Sequence, residues 1–223
     1  MKKIFITRDL KETDFFKTAL EKVGFFVFGK SLIAFSKVDF GVIPDCDWLF
    51  FYSKNGVKYF FENIDNQSFD HIKIAAIGSS TANYLEEYFQ IKVDFIGTGE
   101  PLQTSKAFVE IAAHQTILFP RAKHSKQSIQ KQLGNIIIAK DLIVYENQPI
   151  RDFQSIEADI LVFTSPMNVK AYFSQMTFQP NQKIISIGNT TAETLKILGF
   201  NNFLVAKSPS EQDLVKAVLN DEL

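Results

Sequence analysis

The sequence of this chain of 223 residues contains two similar copies of a domain-sized unit. Three pairs of segments match in the same order, and the members of each pair lie 110 to 113 residues apart. A period of this length is too long for a solenoid repeat and fits a whole domain. The sequence therefore predicts two similar domains, and the natural place for a ligand is the cleft between them. The matching pairs are Ile4–Arg8 with Ile117–Arg121, Asp47–Ser53 with Asp159–Ser165, and Ile77–Ala82 with Ile187–Ala192.

Composition narrows the class of protein. The hydrophobic fraction of 46% and the charged fraction of 22% are ordinary for a soluble protein, and the formal net charge of −1 gives no overall attraction to nucleic acid or anionic membranes. Cys46 is the single cysteine, which excludes an internal disulfide framework and a thiolate metal site. The apolar run after Met1 is too short for a signal peptide, and no stretch approaches the roughly 18 apolar residues of a membrane helix. We therefore expect a cytoplasmic protein without nucleic-acid or membrane partners.

Short apolar runs alternate with amphipathic segments of helical length along the whole chain. This alternation predicts parallel sheets covered by helices on both faces, in two similar α/β domains of flavodoxin/Rossmann-like type. Strands buried on both faces read as continuous apolar runs, as Trp48–Phe51 and Ile160–Phe163 do. The predicted strands are Lys3–Ile6, Phe25–Phe28, Trp48–Phe51, Lys73–Ile77, Lys92–Ile96, Thr116–Phe119, Ile136–Ile138, Leu142–Tyr145, Ile160–Phe163, Lys183–Ile187 and Phe203–Val205. The predicted helices are Thr13–Val23, Gly56–Glu62, Thr81–Tyr88, Gln103–Ala113, Ser125–Leu133, Asn168–Ser174, Thr190–Leu198 and Glu211–Leu219.

Two β-prone stretches without a following helix occupy equivalent places in the repeat, Phe28–Phe35 and Ile138–Tyr145. They are candidates for strands that carry the chain between the domains. The chain would then leave the first domain early, build the second domain and return to the first. The predicted limits are 1–35 plus 149–223 for a discontinuous first domain, and 36–148 for the second.

The usual signatures of enzymes are missing from the sequence. It contains no phosphate-binding P-loop, no glycine-rich dinucleotide fingerprint, no Gly-x-Ser-x-Gly and no His-Glu-x-x-His. His71, His114 and His124 have no ligand partners at productive spacing, which favours surface or helix-flank roles over metal ligation. Any reaction performed by this chain would therefore depend on substrate positioning and on preorganised polar groups.

Four polar turns connect a predicted strand to the helix after it. Each lies at the carboxyl end of its strand, where open α/β sheets bind ligands, and offers backbone N–H groups and hydroxyls that suit an anion. N-capping by Ser, Thr and Asn is the simpler explanation of a single turn, whereas four turns in repeated positions leave both interpretations open. The turns are Ser53-Lys54-Asn55-Gly56, Gly78-Ser79-Ser80-Thr81, Ser165-Pro166-Met167-Asn168 and Gly188-Asn189-Thr190-Thr191.

Basic side chains and one tyrosine add to the candidate set. Arg8 and Arg121 end equivalent strands, so either could bind carboxylates or phosphates through charge-assisted hydrogen bonds. Tyr145 ends the second connecting stretch, where it could instead be an ordinary half-buried tyrosine of a sheet. Several lysines near the turns have two interpretations, anion binding or a solvated helix face. They are Lys54, Lys58, Lys123, Lys126 and Lys170.

Taken together, these segments resemble the uroporphyrinogen-III synthase family. The resemblance covers nearly the whole chain in order, and the ordered set carries it rather than any single motif. The matching stretches are Ile6–Arg8, Asp47–Phe60 (DWLFFYSKNGVKYF), Ile74–Glu86 (IAAIGSSTANYLE), Ile117–Arg121 (ILFPR), Val144–Glu146, Asp159–Phe173 and Ile187–Gly199.

The resemblance implies two α/β domains joined by a two-stranded β connection, with an open cleft between them. It also implies a hydro-lyase that converts the linear tetrapyrrole hydroxymethylbilane into uroporphyrinogen III without a metal or an organic cofactor. Water is lost from the terminal hydroxymethyl group, ring D is inverted and the macrocycle closes. The family's tyrosine, proposed to assist departure of the hydroxyl, falls on Tyr145, and its ligand-contacting turns fall on Ser53, Thr81, Ser165 and Thr190-Thr191.

We expect a monomer whose main partner is this substrate, which carries eight carboxylates. Tyr145 is the predicted catalytic residue. The residues predicted to bind the substrate are Arg8, Ser53, Asn55, Gly78, Ser80, Thr81, Arg121, Ser165, Asn168, Gly188, Thr190 and Thr191.

Two other classes of function remain as alternatives. The first is a non-catalytic two-domain protein that closes around a small anionic ligand. The second is a nucleotide-binding regulator, suggested by Gly78–Thr81 and Gly188–Thr191, although the sequence offers no acidic or lysine partner for a magnesium–nucleotide complex. Product analysis with hydroxymethylbilane separates an enzyme from a binder, because a binder would leave only the type I isomer that forms spontaneously.

Overall fold

The structure is a computed structural model that describes residues 1–64, 69 and 71–220. The described residues form eleven strands and eight α-helices, with one 3-10 turn at Gly134–Ile136. The strands are β1 (Lys3–Ile6), β2 (Phe26–Gly29), β3 (Ile33–Lys37), β4 (Trp48–Phe51), β5 (Lys73–Ala76), β6 (Phe95–Ile96), β7 (Thr116–Ala122), β8 (Ile138–Pro149), β9 (Ile160–Phe163), β10 (Lys183–Ser186) and β11 (Leu204–Val205). The helices are α1 (Phe15–Glu21), α2 (Lys54–Phe61), α3 (Ser79–Phe89), α4 (Pro101–Ala112), α5 (Ser128–Leu133), α6 (Pro166–Phe173), α7 (Asn189–Ile197) and α8 (Glu211–Asn220).

The chain divides into two compact units. The discontinuous unit contains Met1–Ala34 and Gln148–Leu223, and the continuous unit contains Phe35–Asn147. Both boundaries fall inside strands, so the chain passes between the units in β3 and again in β8. These two strands are neighbours in one sheet.

Five parallel strands form the sheet of the discontinuous unit, in the spatial order β11-β10-β9-β1-β2. Every residue of β9 is buried, as expected for a strand that is covered on both faces. One face, with Ile6 and Val162, packs against α1 and α8. The other face, with Phe5 and Phe163, packs against α6 and α7. The predicted α/β fold is confirmed in this layered arrangement.

The continuous unit has a sheet of six strands, in the order β3-β8-β7-β4-β5-β6. The strands from β8 to β6 are all parallel. Phe51 and Leu118 pack with α2 and α3 on one face. Phe50 and Phe119 pack with α4 and α5 on the other.

The repeat in the sequence returns as a repeat in sheet order. The order β2-β1-β9-β10-β11 of the discontinuous unit corresponds to β8-β7-β4-β5-β6 of the continuous unit. In each sheet, the strand order reverses direction at one pair of neighbouring strands. This pair is β1 and β9 in the discontinuous unit and β7 and β4 in the continuous unit. Parallel α/β sheets bind ligands outside the carboxyl ends of their strands at such a switch point.

One strand is longer than predicted. The sequence predicts Ile136–Ile138 and Leu142–Tyr145 as separate strands, whereas the structure has the single strand β8, which begins at Ile138, and Ile136 lies in the 3-10 turn. Lys140 and Asp141 interrupt the apolar pattern, but tertiary contacts hold both in the strand. The Lys140 ammonium donates to a backbone carbonyl at 2.7 Å, and the Asp141 carboxylate pairs with Arg121.

The predicted β-prone stretch Phe28–Phe35 is two strands, β2 and β3, rather than one. The last residue of β2 has to be glycine, because a Cβ on Gly29 would lie 2.5 Å from the carbonyl oxygen of Arg8. After this close approach the chain leaves the sheet, and the N–H of Leu32 donates to the side-chain oxygen of Asn168 at 2.9 Å.

Candidate functional site

The predicted turns lie at the carboxyl ends of parallel strands in both units. In the continuous unit, Ser53 follows β4 and Gly78 lies between β5 and α3. In the discontinuous unit, Ser165 follows β9 and Gly188 lies between β10 and α7. Each of the four residues is the N-cap of the helix that it precedes. The turns of Ser53 and Ser165 lie next to the switch points of the two sheets.

Tyr145 and Ser53 come together at the start of α2. The phenolic oxygen of Tyr145 lies 3.4 Å from the hydroxyl oxygen of Ser53, and either group can donate in this long hydrogen bond. The same Ser53 oxygen accepts the N–H of Gly56 at 3.2 Å, which satisfies one donor of the first helical turn. One hydroxyl therefore caps the helix and contacts the candidate catalytic residue.

The ring of Tyr145 is packed into the core of the continuous unit. The residue is 8% exposed, and its ring stacks on Tyr59 with centroids 5.3 Å apart and an interplanar angle of 24°. Burial raises the pKa of Tyr145, and the hydrogen bond with Ser53 opposes this rise without cancelling it. The phenol therefore keeps its proton at neutral pH and can act as a hydrogen-bond donor.

The glycine turn of the continuous unit is covered by the segment after β6. A Cβ on Gly78 would lie 3.1 Å from both Cα and N of Gly99. Thr81 is buried and its N–H donates to the Gly78 carbonyl at 3.1 Å, whereas Ser80 is exposed. The N–H groups of Ser79 and Ser80 have no acceptor among the described residues, so they are available to an anion.

The equivalent turn of the discontinuous unit is open. No atom of the described residues lies within 4 Å of a Cβ on Gly188, and this turn lines a cavity of about 470 Å³. Thr190 is exposed, and Thr191 lines the same cavity although it is only 3% exposed. In the part of the chain that the structure describes, the N–H groups of Asn189 and Thr190 have no acceptor.

Three polar residues line this cavity that the sequence did not single out, Thr164, Lys207 and Ser208. Thr164 is bound to Thr7 across the switch point: its N–H donates to the Thr7 hydroxyl at 2.9 Å, and its hydroxyl donates to the Thr7 carbonyl at 2.8 Å. Thr164 could have been identified as a candidate from the sequence, because it directly precedes Ser165. Lys207 and Ser208 follow a two-residue strand, which is too short to show a pattern.

The Asn168 side chain forms hydrogen bonds with residues of its own unit. Its side chain is nearly buried, with the oxygen accepting the N–H of Leu32 at 2.9 Å and the amide donating to the Ser165 hydroxyl oxygen at 3.0 Å. The Asn168 N–H donates to the same Ser165 oxygen at 3.2 Å. Ser165 is therefore an N-cap, and Asn168 holds the backbone of Leu32 where the chain leaves β2.

Arg8 forms an ion pair with Glu211 at the start of α8. The second oxygen of Glu211 accepts the N–H of Phe16 at 2.9 Å, so this carboxylate also ties down the first turn of α1. The Arg8 side chain is 31% exposed, yet its Nε is buried without a hydrogen-bond partner among the described residues. Arg8 would have to exchange Glu211 for a substrate carboxylate in order to bind the substrate directly.

All three nitrogens of the Arg121 guanidinium donate hydrogen bonds within the protein. Its Nε and Nη2 donate to the two oxygens of Asp141 at 2.6 and 2.9 Å, and its Nη1 donates to the Ala122 carbonyl at 2.9 Å. The side-chain amides of Gln127 and Gln130 donate to the same carboxylate, each at 2.8 Å. Burial alone would raise the pKa of Asp141, but the hydrogen bonds from Arg121 and the glutamines outweigh it and lower this pKa. The cluster fastens the carboxyl end of β7 to β8.

The described residues include no group of three or more His, Cys, Asp and Glu side chains placed to hold a metal ion. His71, His114 and His124 are exposed, as the sequence predicted. Burial raises the pKa of the Cys46 thiol to about 11, so it is protonated at neutral pH. None of the described helices has the length and apolar character needed to cross a membrane.

Comparison with known proteins places this geometry in a family. The family model described as Uroporphyrinogen-III synthase HemD matches residues 14–216. This chain belongs to the uroporphyrinogen-III synthase family. The matched range contains all four turns and Tyr145, which the resemblance had identified from sequence segments alone.

Solved uroporphyrinogen-III synthases share the fold. The enzyme of Helicobacter pylori 26695 superimposes with a TM-score of 0.77 at 24% identity, with 99% of each chain covered. A mutant enzyme of the extremely thermophilic bacterium Thermus thermophilus gives a TM-score of 0.59 at 18% identity, with 99% of this chain and 100% of that chain covered. At these identities the likeness concerns the fold. No curated protein sequence matches the chain significantly.

The remaining polar candidates of this uroporphyrinogen-III synthase family member surround the turns. Asn55 is half-buried in the first turn of α2, and the Lys54 ammonium lies 5.9 Å from the centroid of a tyrosine ring. The Lys123 ammonium donates to a neighbouring glutamate at 3.2 Å. Lys126 and Lys170 are exposed. Among these residues, Lys54 and Asn55 lie in the first turn of a helix.

Proposed function

We propose that this chain cyclises hydroxymethylbilane to uroporphyrinogen III at the polar turns of its two sheets. The match of residues 14–216 to the uroporphyrinogen-III synthase family carries this proposal. The reaction removes water, inverts ring D and closes the macrocycle, which is the hydro-lyase step of haem and other tetrapyrrole biosynthesis. No observation on this chain favours the alternative, a non-catalytic binder of a small anion, over the enzyme.

The helix starts support binding of the substrate's carboxylates. The N–H groups of Asn55, Ser80 and Thr190 have no acceptor among the described residues, and each stands at the positive end of a helix dipole. Each contact is weak in water, but the substrate carries eight carboxylates, so several contacts on one molecule can fix its shape. Arg8 and Arg121 are engaged with Glu211 and Asp141, and we propose that they mainly hold the turns in place.

Tyr145 is the proposed catalytic residue. The hydroxyl of the substrate must acquire a proton as it leaves, and a positioned phenol can donate a hydrogen bond to the departing oxygen. Because burial raises its pKa, Tyr145 keeps the proton until the reaction requires it. The azafulvene that remains is reactive and closes wrongly when it is free in water. The main task of the site is then to present the substituted carbon of ring D to it, which depends on positioning more than on strong acids or bases.

Product isomer analysis tests this proposal. The purified protein, added to freshly prepared hydroxymethylbilane, should yield uroporphyrinogen III, which is separated from the type I isomer by chromatography after oxidation. Protein-free and heat-denatured samples provide the matched controls and should yield the type I isomer. Formation of type I alone, at the rate of the protein-free sample, would contradict the enzyme. Binding of the substrate without turnover would then favour the alternative.

We also propose that the protein acts as a cytoplasmic monomer without a bound metal or organic cofactor, as the family resemblance implies. Light scattering coupled to size-exclusion chromatography measures the oligomeric state. Elemental analysis, combined with activity before and after dialysis against a chelator, tests for a metal. A dimer under assay conditions, or an activity lost to the chelator and restored by one metal, would contradict the respective part of this proposal.

A further inference from the structure

The Ser53 hydroxyl has two partners, and only one of them has a counterpart in the other unit. Ser53 and its repeat equivalent Ser165 both accept an N–H from the third residue after them, at 3.2 Å in each case. The second partner of Ser53 is the phenol of Tyr145 at 3.4 Å, whereas that of Ser165 is the side-chain amide of Asn168 at 3.0 Å. The cap is common to the repeat, and the tyrosine contact is specific to the continuous unit.

The direction of the hydrogen bond between Ser53 and Tyr145 determines what the phenol can do. A hydroxyl has one proton and two lone pairs. On Ser53, the N–H of Gly56 already occupies one lone pair, and the proton remains to be placed. If Tyr145 donated to Ser53, the phenol would have no proton for the substrate. If Ser53 donates to Tyr145, the phenolic proton is free to point at the departing group.

We propose that Ser53 is a positioning residue that donates its proton to the phenolic oxygen of Tyr145 and thereby directs the Tyr145 proton toward the departing hydroxyl of the substrate. This inference rests on the proposed function of Tyr145. The stack on Tyr59, with centroids 5.3 Å apart, restrains the ring plane and keeps the phenolic oxygen beside Ser53. The 3.4 Å separation is long, as catalytic hydrogen bonds often are before the substrate binds.

The proton balance of the step is simple. The carbon–oxygen bond of the substrate breaks with its electron pair on oxygen, and the phenolic proton of Tyr145 joins that oxygen to form water. The phenolate that remains is stabilised by the hydrogen bond from Ser53, which keeps its own proton. The substituted α-carbon of ring D, which bears no hydrogen, attacks the azafulvene, and the bond from this carbon to its original methylene bridge then breaks. The unsubstituted α-carbon of ring D bonds to the released bridge and loses its proton, which closes the inverted ring. Tyr145 regains a proton from solvent, so the enzyme returns to its starting state.

Substitution of Ser53 separates this role from helix capping. Ser53→Gly removes the hydroxyl while retaining a residue tolerated at N-caps, and Ser53→Thr retains a hydroxyl. We expect Ser53→Gly to lower kcat about fivefold, the factor that one net hydrogen bond represents, with KM nearly unchanged. Ser53→Thr should restore most of the rate. Ser165→Gly removes the equivalent cap of α6 and serves as the control for thermal stability. A raised KM with an unchanged kcat in Ser53→Gly would overturn the proposal.

The double variant Ser53→Gly/Tyr145→Phe distinguishes action through Tyr145 from direct contact with the substrate. If Ser53 acts through the phenol, the double variant should be no slower than Tyr145→Phe. Losses that multiply would overturn the role of Ser53 while leaving that of Tyr145 intact. A wild-type rate in Tyr145→Phe would instead refute the proposed function of Tyr145, and the role of Ser53 would fall with it.

Titration of the phenol gives a readout that does not depend on turnover. The hydrogen bond with Ser53 lowers the pKa of Tyr145 relative to burial alone. Ser53→Gly should therefore raise this pKa further, and Ser165→Gly should leave it unchanged. Nuclear magnetic resonance of protein labelled at the tyrosine ζ carbon measures the pKa, with Tyr145→Phe identifying the signal. An unchanged pKa in Ser53→Gly would overturn the proposal.

Discussion

Alanine in place of Gly78 should lower stability more than alanine in place of Gly188, although the two turns are equivalent in the repeat. Both glycines have extended backbones, with φ of −172° and 177°, so alanine can adopt either conformation. The surroundings differ. A Cβ on Gly78 would lie 3.1 Å from the Cα and N of Gly99, whereas no atom in the described part of the chain lies within 4 Å of a Cβ on Gly188.

These surroundings set the expected magnitudes. In Gly78→Ala the backbone of Gly99 must shift, and overpacking of this kind costs about 1–3 kcal/mol. In Gly188→Ala the methyl group has free space. Alanine is a poorer N-cap than glycine, but it also reduces the conformational freedom of the unfolded chain. These two effects, each about 1 kcal/mol, oppose each other, so stability should change little. Each kcal/mol corresponds to roughly 2–4 °C in Tm for a chain of this size. Thermal unfolding followed by circular dichroism should therefore separate the two variants clearly.

Gly188→Ala also tests the proposed binding site, because it adds a methyl group to the lining of the cavity of about 470 Å³. If a substrate carboxylate approaches the N–H groups of Asn189 and Thr190, the methyl group obstructs it. We expect KM to rise about tenfold, as for loss of one to two hydrogen bonds, and the share of type I isomer to increase. The isomer assay with hydroxymethylbilane measures both quantities.

Two results would refute this reasoning. A loss of Tm in Gly188→Ala as large as that in Gly78→Ala would contradict the steric difference between the turns. A wild-type KM and isomer ratio in a stable Gly188→Ala would show that this turn does not bind the substrate.

Three further substitutions test other parts of the structure. Tyr145→Phe should lower turnover by about 100-fold, the low end for a general acid, with little change in Tm; a loss below about threefold would return Tyr145 to a structural role. Asn168→Ala should lower the free energy of unfolding by about 2 kcal/mol, because the N–H of the buried Leu32 loses its acceptor, and an unchanged urea midpoint would contradict this. Asp141→Asn should be destabilising at pH 7. Because folding lowers the pKa of Asp141, its contribution is complete above the unfolded pKa of about 3.9 and is lost as the pH falls through the lower folded value. A stability difference from wild type that stays constant between pH 7 and 2 would argue against the Arg121 pair as its source.

The strands and helices could be predicted because their burial pattern is local, but four helices begin two residues earlier than predicted. The predicted starts were Gly56, Thr81, Gln103 and Asn168, at or directly before the first buried residue of each helix. Apart from Leu102 and Met167, the residues in between are polar or proline, and such residues are tolerated in a first turn whose N–H groups have no partner within the helix. The apolar pattern therefore begins one half-turn after the helix does.

The positions of the candidate site could be predicted from the sequence, and the partners of its charged residues could not. The repeat placed Arg8 and Arg121 at the ends of equivalent strands; in the structure Arg8 lies two residues after β1, and Arg121 is the second-last residue of β7. Their partners, Glu211 and Asp141, lie 203 and 20 residues away, and nothing in the local pattern indicates the pairing. The contact of Gly99 with Gly78 could not be predicted either, because it depends on how the segment after β6 folds back.

Insertion of the continuous unit into the other has a consequence for the order of folding. The strands β1 and β2 are synthesised first, but their neighbour β9 follows only after Phe35–Asn147. Closing a loop of that length in a disordered chain costs about 4 kcal/mol of entropy. Once the inserted unit has folded, its entry and exit are held together, since the N–H of Ile150 donates to the Leu32 carbonyl at 2.8 Å and that of Val38 to the Val144 carbonyl at 3.0 Å. During synthesis, the continuous unit can therefore fold first and bring the two separated parts of the discontinuous unit within reach of each other.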